Sequence, residues 1–169
     1  MVLPLRPSRG GFLRPFGCGT FIRDLLMGNG PFGSPSIDSS IGAPQADIFH
    51  YYKMARLEFT AMDRAARQEE KQAKRQKRAI SPENIQRIAE QRARRIPWKS
   101  NGCRYHSFVT YFSNLRRLGW VEESGVVEHS SLQDNYPEGQ PRKFYRLTGE
   151  GMAASESEWA DPYAALYGR

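Results

Sequence analysis

The sequence predicts a mainly α-helical chain with a small β-hairpin, an α+β arrangement, and three observations lead there. Residues 45–79 contain neither Gly nor Pro, so nothing in that stretch interrupts a long helix. Residues 104–118 sort apolar and polar side chains onto two sides when wound at helical pitch. Trp120-Val121 and Val126-Val127 on one side of a polar loop, and residues 142–147 on the other, read as two extended segments.

Composition narrows the function classes. The 169 residues are 39% hydrophobic, enough for a core and too much for a wholly disordered chain. No apolar run approaches the roughly 20 residues that a bilayer span needs, and no continuous apolar run follows the early arginines as in a secretory signal. No membrane partner is expected. Lys plus Arg is 25 against 18 Asp plus Glu, a net charge of +7, which favours a polyanionic partner. The charge is uneven: residues 46–119 hold a net +10 and residues 120–141 a net −5. Cys18 and Cys103 are too few for a disulfide framework. The expected location is a reducing one, cytoplasmic and nucleoid-associated, or nuclear in a eukaryote.

Residues 1–44 form an irregular, Gly/Pro-rich extension, with Gly10, Gly11, Gly17, Gly19, Gly28, Gly30, Gly33 and Gly42 among six prolines. Such density opposes long helices and central strands. Phe12, Phe16, Phe21, Ile22, Leu25, Leu26 and Phe32 are too apolar for a plain linker, which suggests that the extension docks on something.

Residues 45–79 follow as a long basic helix of about 50 Å, opened by Pro44 at a favoured first-turn position. Ile48, Tyr52, Ala55, Phe59, Met62 and Ala66 recur at alternating four- and three-residue steps, an a/d seam. The seam has two readings, packing on its own domain or a homodimer contact. The basic run that includes Lys71, Lys74, Arg75, Lys77 and Arg78 is a phosphate-contacting helix end, an import-like patch or a solvated face.

Ser81-Pro82-Glu83 starts the next helix, with Ser as cap, Pro in the first turn and Glu at the positive dipole end. That helix runs to about Arg95, and Pro97 stops it. The following helix, over 104–118 with Gly119 to end it, carries the most information. Its core side is Phe108, Val109, Tyr111, Phe112, Leu115 and Leu118. Its other side is His106, Ser107, Thr110, Ser113, Asn114 and Arg117, with no acid at all. A solvated face ordinarily mixes in Glu or Asp, whereas hydrogen-bonding groups with cations suit base edges and phosphates. In the hairpin, Tyr145 and Leu147 share an inner face and Thr148 caps a short helix. Residues 153–169 are a tail in which Trp159, Tyr163 and Leu166 pack on the core.

Two blocks carry a family resemblance. Tyr111-Phe112-Ser113-Asn114-Leu115-Arg116-Arg117-Leu118-Gly119-Trp120-Val121-Glu122 and Arg142-Lys143-Phe144-Tyr145-Arg146-Leu147-Thr148-Gly149-Glu150-Gly151 resemble the PadR family and, more loosely, MarR-like regulators. The resemblance covers about 80–152 and implies a winged helix-turn-helix domain there, with 104–118 as recognition helix and 142–147 leaving the wing. It departs from PadR regulators in lacking their long C-terminal dimerisation helix, a part the 45–79 helix could take.

The expected function is sequence-selective binding of double-stranded DNA by a transcriptional regulator. Arg104, His106, Ser107, Thr110 and Asn114 are the base-edge candidates, since Asn pairs bidentately with adenine and Arg with guanine. Lys99, Arg117, Arg142, Lys143, Lys74, Arg75, Lys77 and Arg78 are the phosphate candidates. The alternative is a winged-helix assembly subunit that holds a protein partner through residues 1–66 or 159–167. An enzyme is not expected: His50, His106 and His129 have no zinc-like spacing, and no nucleophile elbow, P-loop or dinucleotide fingerprint occurs. No cofactor and no metal are expected.

Overall fold

The computed structural model describes residues 17–31, 33–98, 104–128 and 141–168. The described chain is mainly helical with one small antiparallel sheet. Its elements are α1 (Cys18–Leu26), β1 (Ala43–Pro44), α2 (Gln45–Gln76), α3 (Pro82–Ala93), α4 (Tyr105–Arg117), β2 (Val121–Glu128), β3 (Arg142–Leu147), α5 (Gly149–Ala153), α6 (Glu156–Ala160) and α7 (Pro162–Tyr167). The strands lie in the order β1-β3-β2. The described residues divide into two compact units, one of residues 53–98 and one of residues 17–52 with 104–168. These units do not follow the expected division at 79/80. The α3 segment belongs with the second part of α2, while the first turns of α2 belong with α4 and the sheet.

The sheet unit begins where an irregular extension was expected. Residues 20–27 contain no Gly or Pro, and α1 buries Phe21, Ile22, Leu25 and Leu26. Gly28, at φ +87°, ends it, with Gly28 N–H donating to the Leu25 carbonyl and Asn29 N–H to that of Asp24, the paired bonds of a Schellman cap. Ala43 and Pro44 then pair with Tyr145 and Phe144. The extension therefore supplies a helix and an edge strand. On the other side of β3, Val121 pairs with Leu147 and Glu128 with Arg142, with an irregularity between Glu123 and Val127. The segment 129–140 between the paired strands lies outside the described residues, as do Lys99, Cys103 and residues 1–16.

In the unit of residues 53–98, a hairpin of two helices and hence the hairpin unit, Ala65 of α2 packs with Ile85, Ile88 and Ala89 of α3, and Met62 and Ala66 border that cluster. The helix predicted to reach residue 79 stops at Gln76 because Lys77 turns to φ +52°. A buried carboxylate accounts for the turn. Glu69 is fully buried, its Oε1 accepts from the Arg78 guanidinium and from Ser81 N–H at 3.2 Å, and so residues 77–81 fold back on the last turns of α2. Ser81 then caps α3, accepting from Asn84 N–H at 3.3 Å.

The hydrogen bond from Arg78 holds the Glu69 carboxyl below its ordinary value of 4.5. A carboxyl lowered in the folded state contributes stability above its unfolded pKa, and that stability is lost as pH falls through the folded value. Glu69→Gln is therefore expected to lower the thermal midpoint by several degrees at pH 7. The gap to wild type should close in acid, because wild type loses the same interaction there. Thermal unfolding at pH 7 and pH 3 checks this; a gap that persists at pH 3 contradicts it.

The predicted seam is consumed inside the single chain. Ile48, Tyr52, Ala55 and Phe59 are all at most 3% exposed. Tyr52 meets Phe21 at 5.2 Å between ring centroids, and Met62 lies against the α2–α3 cluster. A seam buried in this way offers no surface to a second copy, so the dimer contact expected there is withdrawn.

Candidate nucleic-acid interface

The platform under α4 is aromatic. Phe108, Phe112 and Leu115 are fully buried. Phe108 sits 5.2 Å from Phe49 of α2 and 5.9 Å from Phe112, and Phe112 meets Tyr145 of β3 edge-on at 5.1 Å. Such contacts fix the helix's rotation about its axis. Gly119, at φ +74°, closes it, and the two sequence blocks then lock together. The Thr148 hydroxyl donates to the Gly119 carbonyl and accepts from Gly151 N–H, and Thr148 N–H donates to Trp120 O at 2.9 Å. A Cβ on Gly151 would lie 2.3 Å from the Trp120 carbonyl oxygen, so this position takes glycine because two backbones touch. The Tyr-Arg-Leu-Thr-x-x-Gly run is thus the clip that holds the end of α4.

With that side buried, Arg104, His106, Ser107, Thr110 and Ser113 are exposed and Asn114 is half-buried. The Thr110 hydroxyl donates to the His106 carbonyl at 3.2 Å and keeps its acceptor lone pairs outward. No acid lies in the first turn. Two neighbours were not legible as site residues. Val109, placed on the core side by its spacing, is 37% exposed, and Tyr105 is 45% exposed with its ring against Phe49 at 5.1 Å. Val109 thus adds an exposed apolar group to the polar side of the helix.

The chain's own tail meets the other end of α4. Arg117 donates to the Tyr167 hydroxyl at 2.8 Å and lies over its ring. Ser107, Thr110 and Ser113 remain open to solvent, so the tail leaves the face accessible.

No family model, curated protein or solved structure matches this chain. The likeness to PadR regulators therefore rests on the two sequence blocks alone. No described helix is long and apolar enough to cross a membrane, and no described group of three His, Cys, Asp or Glu could hold a metal ion.

Several phosphate candidates are already partnered. Arg142 bonds Asp47 at 2.5 Å and Glu128 at 3.3 Å with 19% of its side chain exposed. That pairing makes it a strut between the start of α2 and the sheet. Lys143 pairs with Glu123 at 3.3 Å, and Arg78 belongs to the Glu69 clasp. A phosphate would have to displace these carboxylates; Arg142 and Arg78, the less exposed of the three, are withdrawn as phosphate contacts, while Lys143, with 56% of its side chain exposed, stays a candidate. Lys74, Arg75 and Lys77 are exposed, in the hairpin unit. Glu122, the other acid beside Glu123, pairs with Arg146 at 3.1 Å, which mutes the repulsion that the acidic strand would exert on a polyanion. Charge divides between the units. Residues 53–103 hold fourteen Lys/Arg against six Asp/Glu, while residues 17–52 and 104–169 hold eight against twelve.

Proposed function

We propose that this chain binds double-stranded DNA with sequence selectivity, laying α4 in the major groove as the recognition helix of a winged-helix domain, and serves as a transcriptional regulator. The exposed, acid-free polar face of α4 carries the reading. The order of elements in the sheet unit supports it. Helix α1, strand β1, the first turns of α2, helix α4 and strands β2 and β3, with sheet order β1-β3-β2, are the parts a winged helix requires. On this reading the hairpin of later α2 and α3 is an insertion between its second and third helices.

His106, Ser107, Thr110 and Asn114 reach base edges, and Arg104, before the first turn, contacts a guanine or a phosphate. The test is a selection from randomised duplexes, followed by shift assays of wild type and H106A/T110A/N114A. Each lost base contact removes about 1–3 kcal/mol of discrimination, so preference for the selected site should fall by at least a hundredfold while affinity for random duplex changes little. Unchanged preference, or no duplex binding by wild type, overturns the reading.

A second reading has an observation of its own. Tyr163 and Tyr167 are 63% and 53% exposed, with ring centroids 4.5 Å apart and planes tilted by 43°, an aromatic pair suited to a protein partner. A complex held through them survives high salt, whereas a phosphate-held one does not.

A further inference from the structure

Within the hairpin unit, one side of α2 has the property that singled out α4. Taking Arg64 as zero at about 100° per residue, Arg67, Gln68, Lys71, Gln72 and Arg75 all fall between about −60° and +80°. Asp63 and Glu70 fall beyond that sector, and Glu69 points into the core. The stripe from Arg64 to Arg75 is about 17 Å long, and its four cations are exposed. Arg92 of α3 joins it by donating to Gln68 Oε1 at 2.8 Å. Arg64, Gln68 and Arg92 line two adjoining depressions, one completed by Arg67, Lys71, Gln72 and Arg75, the other by Ile88, Gln91, Arg95, Ile96 and Pro97. Asp63, at the border of the stripe, lies 3.3 Å from Arg67.

A merely solvated helix gains from alternating charge at i,i+4 and loses from like pairs. Here Arg67/Lys71 and Lys71/Arg75 are like pairs at that spacing, a standing repulsion that a polyanion would relieve. Five of the six cations are arginines, whose forks match phosphate oxygens bidentately. No Trp, Phe or Leu interrupts the stripe, so it lacks the apolar side by which an interfacial helix enters a lipid surface. Duplex DNA presents one charge per 1.7 Å of axis, roughly ten along this length.

We propose that Arg64, Arg67, Lys71 and Arg75, with Arg92 and Arg95, form a second nucleic-acid contact that grips the phosphate backbone of duplex DNA without reading its sequence. The choice of duplex rests on the function proposed above; the surface itself does not involve α4. The test measures the salt dependence of random-duplex binding by the full chain as wild type, R64Q/R67Q/K71Q/R75Q and H106A/T110A/N114A. Each phosphate contact contributes about 0.9 to the slope of log K against log salt. The Gln variant should flatten the slope by about 3.6 and weaken binding at least tenfold, with selectivity kept.

The α4 variant should keep the wild-type slope. R64K/R67K/R75K, which preserves charge, should keep most of it. Should the fourfold variant fold poorly by circular dichroism, R92Q/R95Q is expected to flatten the slope by about 1.8. An unchanged slope in the Gln variants overturns this inference and leaves the α4 reading to its own selectivity result. A flattened slope with no effect of the α4 variant on selectivity does the reverse. Tighter wild-type binding to phosphatidylserine vesicles or to polyglutamate than to duplex at equal salt overturns the duplex as occupant.

Discussion

Replacing Trp159 by alanine is expected to cost about 3–5 kcal/mol of unfolding free energy, the range for truncating a large buried aromatic. At this chain length that lowers the thermal midpoint by on the order of 10 °C. The side chain is fully buried. Its indole N–H donates to the Gly151 carbonyl at 2.9 Å, and its ring lies 4.7 Å from that of Trp120. A Cβ on Gly19 of α1 would lie 2.3 Å from the Trp159 carbonyl oxygen, so α1 and α6 approach through their backbones. One residue of the tail thus joins α1, the start of α5 and the exit from α4. Truncation leaves a cavity there and strands the Gly151 carbonyl without its donor. Tyr163→Ala, in the same tail, should change stability by less than about 0.5 kcal/mol because its ring is mostly exposed. Thermal unfolding of the two variants separates the roles. A Trp159→Ala chain as stable as wild type would mean that the tail does not support the sheet unit.

What the sequence revealed follows from where the deciding interaction lies. Ser81, Gly119 and Thr148 act on atoms a few residues away, so their roles as cap, stop and cap were legible. The two sides of α4 were legible because periodicity reports burial, and only Val109 strayed. Helix α1 was hidden because the Gly and Pro content of residues 1–44 masks a clean run from Thr20 to Met27. The stop at Gln76 was hidden because its cause is Glu69, whose burial against Arg78 no local propensity records. The seam from Ile48 to Met62 has the right spacing for another copy, yet spacing does not say whose surface fills it. Within the candidate interface, the polar face of α4 was legible as composition. The loss of Arg142 to Asp47, ninety-five residues distant, was not.

Gly42→Val is the second change expected to be severe, and it tests whether the sheet positions α4. Gly42 precedes β1 with φ +76°, and a Cβ there would lie 1.7 Å from the Tyr145 carbonyl oxygen. The left-handed conformation alone costs a branched residue about 1–3 kcal/mol, and the collision is with backbone, which no rotamer relieves. The expected response is that residues 42–44 detach from β3, giving up the pairing of Ala43 with Tyr145 and of Pro44 with Phe144 and the Arg146 bond to the Ser40 carbonyl. Tyr145 is the ring on which Phe112 rests and over which the Arg116 guanidinium lies at 5.2 Å. Loosening it frees α4 to rotate about its axis. Two measurements follow. The unfolding free energy should drop by about 3 kcal/mol or more, and amide exchange at Tyr145 and Leu147 should quicken in the still-folded protein. If α4 reads base edges, selectivity among duplexes should fall as well, although the substitution touches no residue of the polar face. Selectivity that survives intact while β3 exchanges freely would detach the recognition role from the sheet that α4 rests on.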